Sequence, residues 1–225
     1  MRDYKKDIPI RLEMMDKNIG PITSSQLVPE SSFEKYRGIL PDSLLLIWKK
    51  IGWTSWENGL FWTVNPAEYD DLVELWLEDT PFTKIDHYHI IARSAFGDLF
   101  AWGQNNNQYF TISCPINALI AQEKKIRTPT DDPNRTLGVF FSGSDKEEFD
   151  MEDENDNPLF DQALKKLGPL AADEVYGFEP PLFAGGAAAL RVDHLAKLKL
   201  DQHLTILRQL GGTPEIPFSN IQVDI

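Results

Sequence analysis

Five of the six tryptophans in this 225-residue chain (Trp48, Trp53, Trp56, Trp62 and Trp76) lie between Pro41 and Leu77, and the sixth is Trp102. Indoles clustered this way must share one interior, so the stretch from Leu40 to Gly103 fixes where the core forms. Around them the pattern alternates between two periods. Leu44, Leu45, Ile47, Trp48 and Ile51 recur at spacings of three and four, which predicts a helix that Pro41 and Asp42 open and Gly52 ends. Gly59–Val64 is dense in aromatic and β-branched residues and predicts a buried strand. Asn65-Pro66 then reads as an N-cap and first helical position, ahead of a helix that buries Leu72, Val73, Leu75, Trp76 and Leu77. Tyr88–Arg93, Asp98–Gly103 and Tyr109–Ile112 predict three strands joined by turns at Ala95-Phe96-Gly97 and Gln104–Asn107. The expected class is α+β: a central, mostly antiparallel sheet with helices packed on one face, in two closely packed halves.

Outside this stretch the signals are shorter. Residues 1–39 read as a polar arm leading into a short helix capped by Ser31 or Ser32. Pro115–Glu123 reads as a further helix, Arg127–Arg135 as a connection, and Leu137–Phe141 as a short apolar strand. Asp145–Asn157 holds eight acidic residues against one lysine and reads as a solvated loop. A helix is expected from Asn157 or Pro158 to Leu167, ended by Gly168-Pro169. Leu198 and Leu200 give a brief period-2 stretch. Asp201 would cap a last helix with Leu204, Leu207 and Leu210 on one face, followed by a turn-rich tail.

Charge and composition narrow the function. With 35 acidic and 22 basic residues the net charge is −13, which repels nucleic acid and attracts basic proteins. Apolar runs are too short to span a bilayer, and the N-terminus has no apolar segment of the signal-peptide kind. One cysteine, Cys114, excludes an internal disulfide framework, and a soluble, cytoplasmic protein is expected. No catalytic constellation stands out. His87 and His89 would share a strand face but lack a third ligand, and His194 and His203 lie near Asp193 and Asp201 as chance allows. Cys114 has no basic neighbour and reads as a buried thiol, while Ser94 reads as a turn serine. Asp153-x-Asn155-x-Asn157 begins like a calcium loop, but Pro158 and Leu164 replace the required Gly and Glu. Gly185-Gly186 matches no phosphate-binding motif. We expect no catalytic residue, cofactor or metal. The acidic run itself, Asp145, Glu147, Glu148, Asp150, Glu152, Asp153, Glu154 and Asp156, is the candidate partner surface.

Leu40-Pro41-Asp42-Ser43-Leu44-Leu45, Trp48, Gly52-Trp53, Asn58-Gly59-Leu60-Phe61-Trp62 and Asn65-Pro66 together resemble the GAD-like domain of bacterial proteins, as do Ala92–Leu99 and Trp102-Gly103. Pro158-Leu159-Phe160, Leu167–Leu170, Asp173–Phe178 and Gly185-Gly186 resemble the C-terminal domain of immunity proteins that protect bacteria from type VI secretion DNase toxins. The Leu-Pro-Asp segment is more loosely similar to the SUKH immunity superfamily. The resemblance implies two domains, 1–120 GAD-like and 121–225 of immunity type. It implies a non-catalytic protein that binds and occludes a basic nuclease toxin, and it supplies no residues for catalysis. A small enzyme or ligand-binding protein using a Trp-lined pocket with His87, His89 or Asp98, and a regulatory adaptor, are the alternative readings.

Overall fold

The computed structural model describes residues 4–122 and 126–217. Its centre is a seven-stranded sheet in which every neighbouring pair is antiparallel and strand order follows the chain. The strands are β1 (Ile22–Gln26), β2 (Trp53–Trp56), β3 (Phe61–Thr63), β4 (Tyr88–Ser94), β5 (Asp98–Gly103), β6 (Tyr109–Ser113) and β7 (Ala118–Ile120). The β4–β5, β5–β6 and β6–β7 connections are short, as an antiparallel meander allows, whereas helical segments fill the β1–β2 and β3–β4 connections. Gly97 makes the β4–β5 turn at φ +98°, with the Leu204 side chain packed where a Cβ would be, so both backbone and space demand glycine.

Five α-helices frame the first half and its far side: α1 (Tyr4–Asn18), α2 (Glu30–Tyr36), α3 (Asp42–Ile51), α4 (Asp70–Leu77) and α5 (Pro133–Gly143). The chain continues through a one-turn α6 (Lys146–Phe149), α7 (Leu159–Leu167), strand β8 (Glu174–Phe178), a one-turn α8 (Leu182–Gly185), β9 (Leu195–Lys199) and α9 (Leu200–Gly211). Strands β8 and β9 pair as a separate antiparallel ribbon. That ribbon is tied to the main sheet where the Tyr176 amide donates to the Ala95 carbonyl at 2.9 Å.

The α+β class and the antiparallel sheet are as expected. The expected helical layer is one face of it, and the second face is covered as well. Phe61 and Trp62 are neighbours on β3 and so point to opposite sides. On the Phe61 side, Phe149 stacks on Phe61 at 4.3 Å and Phe140 meets Phe100 at 5.2 Å, under a layer of α1, α3 and α5. On the Trp62 side, the Arg93 guanidinium lies 4.6 Å from the Trp62 ring and donates to the Ala172 carbonyl at 3.0 Å. Arg208 of α9 reaches the Leu75 carbonyl at 3.0 Å, so α9 and α4 close that face. Burial on both sides explains why β4 is buried along its whole length and lacks polar alternation. All six tryptophans are buried, at 8% exposure or less.

Several local expectations are corrected. The N-terminal arm is not an arm: α1 fills fifteen residues, carries Pro9 inside, and is held by Trp56 Nε1 donating to Asp16 at 3.1 Å. The following β1 is an edge strand exposed throughout. Helix α2 starts after Pro29, without a serine side-chain cap. Pro115–Glu123 is not a helix but a tight turn at Cys114–Ile116 followed by β7, and Glu123 lies outside the described residues. Leu137–Phe141 is not a strand. It belongs to α5, whose Asp132 cap accepts from Arg135 N at 3.0 Å and whose Leu137, Phe140 and Phe141 fall on one buried stripe. Helix α9 begins two residues earlier than expected, with Lys199 at its cap and Asp201 in its first turn, and Leu210 is 65% exposed. Of the turn-rich tail, residues 218–225 lie outside the described residues. Its nearer part adds a bridge to β7, Leu119 N donating to Glu215 O at 2.7 Å.

Candidate functional site

Helix α7 and the acidic turn before it build the most distinctive surface. Phe149, buried beneath Phe61 and Phe100, anchors α6 and drags the run of carboxylates against the body of the protein. The expected solvated loop is therefore a folded wall, and its acids divide by what they touch. Asp145 caps α6 by accepting from Glu148 N at 3.1 Å. Asp150 Oδ1 accepts from Met151 N at 2.7 Å and Phe160 N at 2.8 Å, fixing the start of α7. Its Oδ2 is enclosed with no donor from the described residues, and burial pushes the carboxyl up to about 6. Asp153 Oδ1 accepts from Asn155 N at 2.8 Å and Asn157 N at 3.0 Å, with Gln162 on Oδ2 at 3.1 Å. Those bonds to the ionised form hold it down at about 2. The calcium-like spacing is thus a turn closed on its own amides. Glu154 pairs with Arg191 at 3.3 Å. Glu147, Glu148, Glu152 and Asp156 are exposed.

Beside this wall runs an open groove of about 950 Å³, lined by Lys146, Glu147, Asp150, Met151, Glu152, Pro158 and Asp161 on one side. Ile116, Leu182, Phe183 and Leu190 form the apolar side. The acidic members were visible in the sequence. The apolar ones were missed, because they come from the turn before β7 and from the loop around α8, far apart in the chain and carrying no shared motif. No tryptophan lines this groove, so it is not the Trp-lined pocket of the alternative reading.

The other candidates resolve into structure. His89 is buried against Gln104 at 3.3 Å and packs on exposed His87 with rings 4.7 Å apart. His203 is buried, and His194 faces the Ala189 carbonyl at 3.2 Å. Cys114 is fully buried at the end of β6, and burial raises its thiol well above the ordinary value. Ser94 accepts from Asp98 N at 3.0 Å across the β4–β5 turn, and Ser113 donates to Asp98 at 2.6 Å. Among the described residues, no group of three or more His, Cys, Asp or Glu is placed to hold a metal. No described helix is long and apolar enough to cross a membrane.

Fold and groove define an α+β protein that presents an acidic, apolar-sided surface. Residues 11–116 match the model of the GAD-like domain, and residues 134–211 match that of the T6SS immunity protein Tdi1, C-terminal. Over those two spans the chain is similar to a GAD-like domain followed by a Tdi1-type C-terminal segment, and the second match covers the acidic wall and supports an immunity role. It is also similar to the crystal structure of Atu4351 from Agrobacterium tumefaciens, with a TM-score of 0.74, 25% identity and 88% of each chain covered. No curated protein matches the sequence.

Proposed function

We propose that the protein is a cytoplasmic immunity protein that binds a cognate secreted toxin, a type VI secretion DNase effector, and disables it by covering it. The observation that carries this reading is the Tdi1-type match across residues 134–211, the segment that contains the acidic wall. A nuclease must present cationic side chains to phosphate. Carboxylates at fixed positions compete for those cations without undergoing any reaction. On this reading Glu147, Glu148, Glu152 and Asp156 are contact residues, with Asp150 beside them, whereas Asp145, Asp153 and Glu154 shape the wall that carries them. No cofactor takes part.

The test is to co-express the toxin of the neighbouring gene with and without this protein, then to titrate the purified pair in a DNA-cleavage assay. Full protection of cells, with cleavage abolished at one-to-one stoichiometry, is the expected result. Continued cleavage at saturating immunity protein, or a complex that leaves the DNA-binding surface open, would overturn it.

A further inference from the structure

The groove leaves apolar surface in water that the fold had the means to cover. Ile116 is 44% exposed, and Met151, Phe183 and Leu190 are only partly buried. Four carboxylates line the same groove (Glu147, Asp150, Glu152 and Asp161) against a single ammonium, Lys146. That ammonium is shared between Asp161 of the rim at 3.0 Å and Glu57 at 3.7 Å, so it offsets one of the four carboxylates and leaves the groove with a net negative charge. Asp150, which also lines the groove, has an enclosed Oδ2 with no donor among the described residues.

Three classes of occupant can be compared on these facts. A phosphate- or carboxylate-bearing ligand meets an excess of like charge. A wholly apolar one would dehydrate the carboxylates and give nothing back. A chain segment that combines aliphatic or aromatic side chains with Lys or Arg satisfies both walls. Its stems and rings cover Ile116, Phe183 and Leu190 while its cationic heads reach the rim, as long basic side chains do when they lie along apolar surface. The volume suits several side chains from one segment rather than one small ion.

We propose that this groove is the principal docking seat for the toxin, and that it receives a toxin segment carrying apolar side chains interleaved with Lys or Arg. This rests on the immunity reading and adds to it: the acidic wall steers, and the apolar side supplies the buried anchor. The apolar residue Ile116 belongs to the GAD-like match and Leu182 to the Tdi1-type match, so both parts of the chain contribute to one seat.

The test uses the full chain and the neighbouring-gene toxin carrying a substitution that abolishes cleavage. Calorimetric titration compares wild type with Ile116→Asp, with Glu147→Lys/Glu152→Lys, and with a charge-reversal control outside the groove, Glu74→Lys on α4. All sites are exposed enough to leave folding intact, which thermal melts verify. Each groove variant should weaken binding by about tenfold or more, the size expected of an interface anchor, while the control stays within about twofold. Hydrogen exchange in the wild-type complex should slow in residues 145–158 and 182–190. Groove variants that fold and bind like wild type, or protection confined to other surfaces, overturn the proposal and leave the immunity reading standing. Failure of wild type to bind the toxin at all removes both.

Discussion

Asp150 and Asp153 lie three residues apart on the same turn and shift in opposite directions. Asp153 is held near 2 by the amides and side chains that bond to its ionised form, whereas Asp150 is raised to about 6 by burial. The consequences for stability have opposite signs. Above its ordinary value of 3.8, Asp153 stabilises the fold, and that contribution is lost as pH falls from about 4 towards 2. Between about 4 and 6 the folded state holds a proton on Asp150 that the unfolded chain has released, so its contribution falls as pH rises through that window. Replacing Asp150 by Asn keeps an oxygen for Met151 N and Phe160 N and removes the buried charge. We expect Asp150→Asn to raise the melting temperature at pH 7 and to flatten its decline between pH 4 and 6, as thermal melts across that range would register. A variant with an unchanged pH profile would mean that the carboxyl is well hydrated. None of this division was legible in the sequence, where eight acids form one run. The Asx-type spacing around Asp153 was visible, but the capture of Asp150 by the start of α7 depends on how the turn folds back.

At the scale of single elements, α5 is the instructive case. Its apolar core, Leu137 with Phe140 and Phe141, is short enough to fit a strand as well as a helix, and Gly138 and Gly143 weaken helical propensity. The deciding signal was upstream: Asp132-Pro133 is a cap followed by a first-turn proline, whereas the same device at Asn65-Pro66 opens only a short 3-10 turn, Pro66–Glu68, and α4 starts separately at Asp70, with Leu75 only half-buried. Gly138 is present because α1 crosses α5 there. The Arg11 guanidinium fills the space of a Cβ and donates to the Gly138 carbonyl and to Ser142 Oγ at 3.2 Å. On an isolated helix, Gly138→Ala would stabilise by about 1 kcal/mol. Here the added methyl should displace the Arg11 guanidinium, the far end of a flexible side chain, and cost its bonds to Gly138 and Ser142. The propensity gain should thus be offset, and the net change in denaturant unfolding stay within about 1 kcal/mol. The same change in an Arg11→Ala background should cost less than the sum of the two single changes, because the colliding group is gone. Additivity would show that α1 and α5 do not meet through this pair. By contrast, α3 and the β4–β5–β6 meander were legible throughout, since their periodicity, caps and turn glycines all agreed.

For the molecule as a whole, the net charge of −13 sets how it meets a basic partner. Association with the toxin should be fast at low ionic strength and slow by roughly an order of magnitude on going to several hundred millimolar salt, with dissociation changing less. Stopped-flow mixing measures this, and a salt-independent on-rate would place the contact away from the acidic wall.

How the two sequence modules combine is the larger question. We propose that the boundary near residue 120 separates two modules of sequence that fold as one body. The reason is the composition of the core. On one face of the sheet, Phe61 and Phe100 are covered by Phe140, Phe141 and Phe149, all from the second module. On the other, fully buried Arg93 satisfies its guanidinium on the Ala172 carbonyl, and Gly97 packs on Leu204. Removing residues 121–225 would expose an aromatic face and leave a buried cation short of acceptors, a loss well beyond the few kcal/mol that keep a domain folded. The 1–120 fragment should therefore lack a cooperative thermal transition, lose near-ultraviolet dichroism, and bind hydrophobic dyes. A sharp transition and dispersed amide resonances from that fragment would instead establish two independent folding units, and the shared core would then be an interface between them.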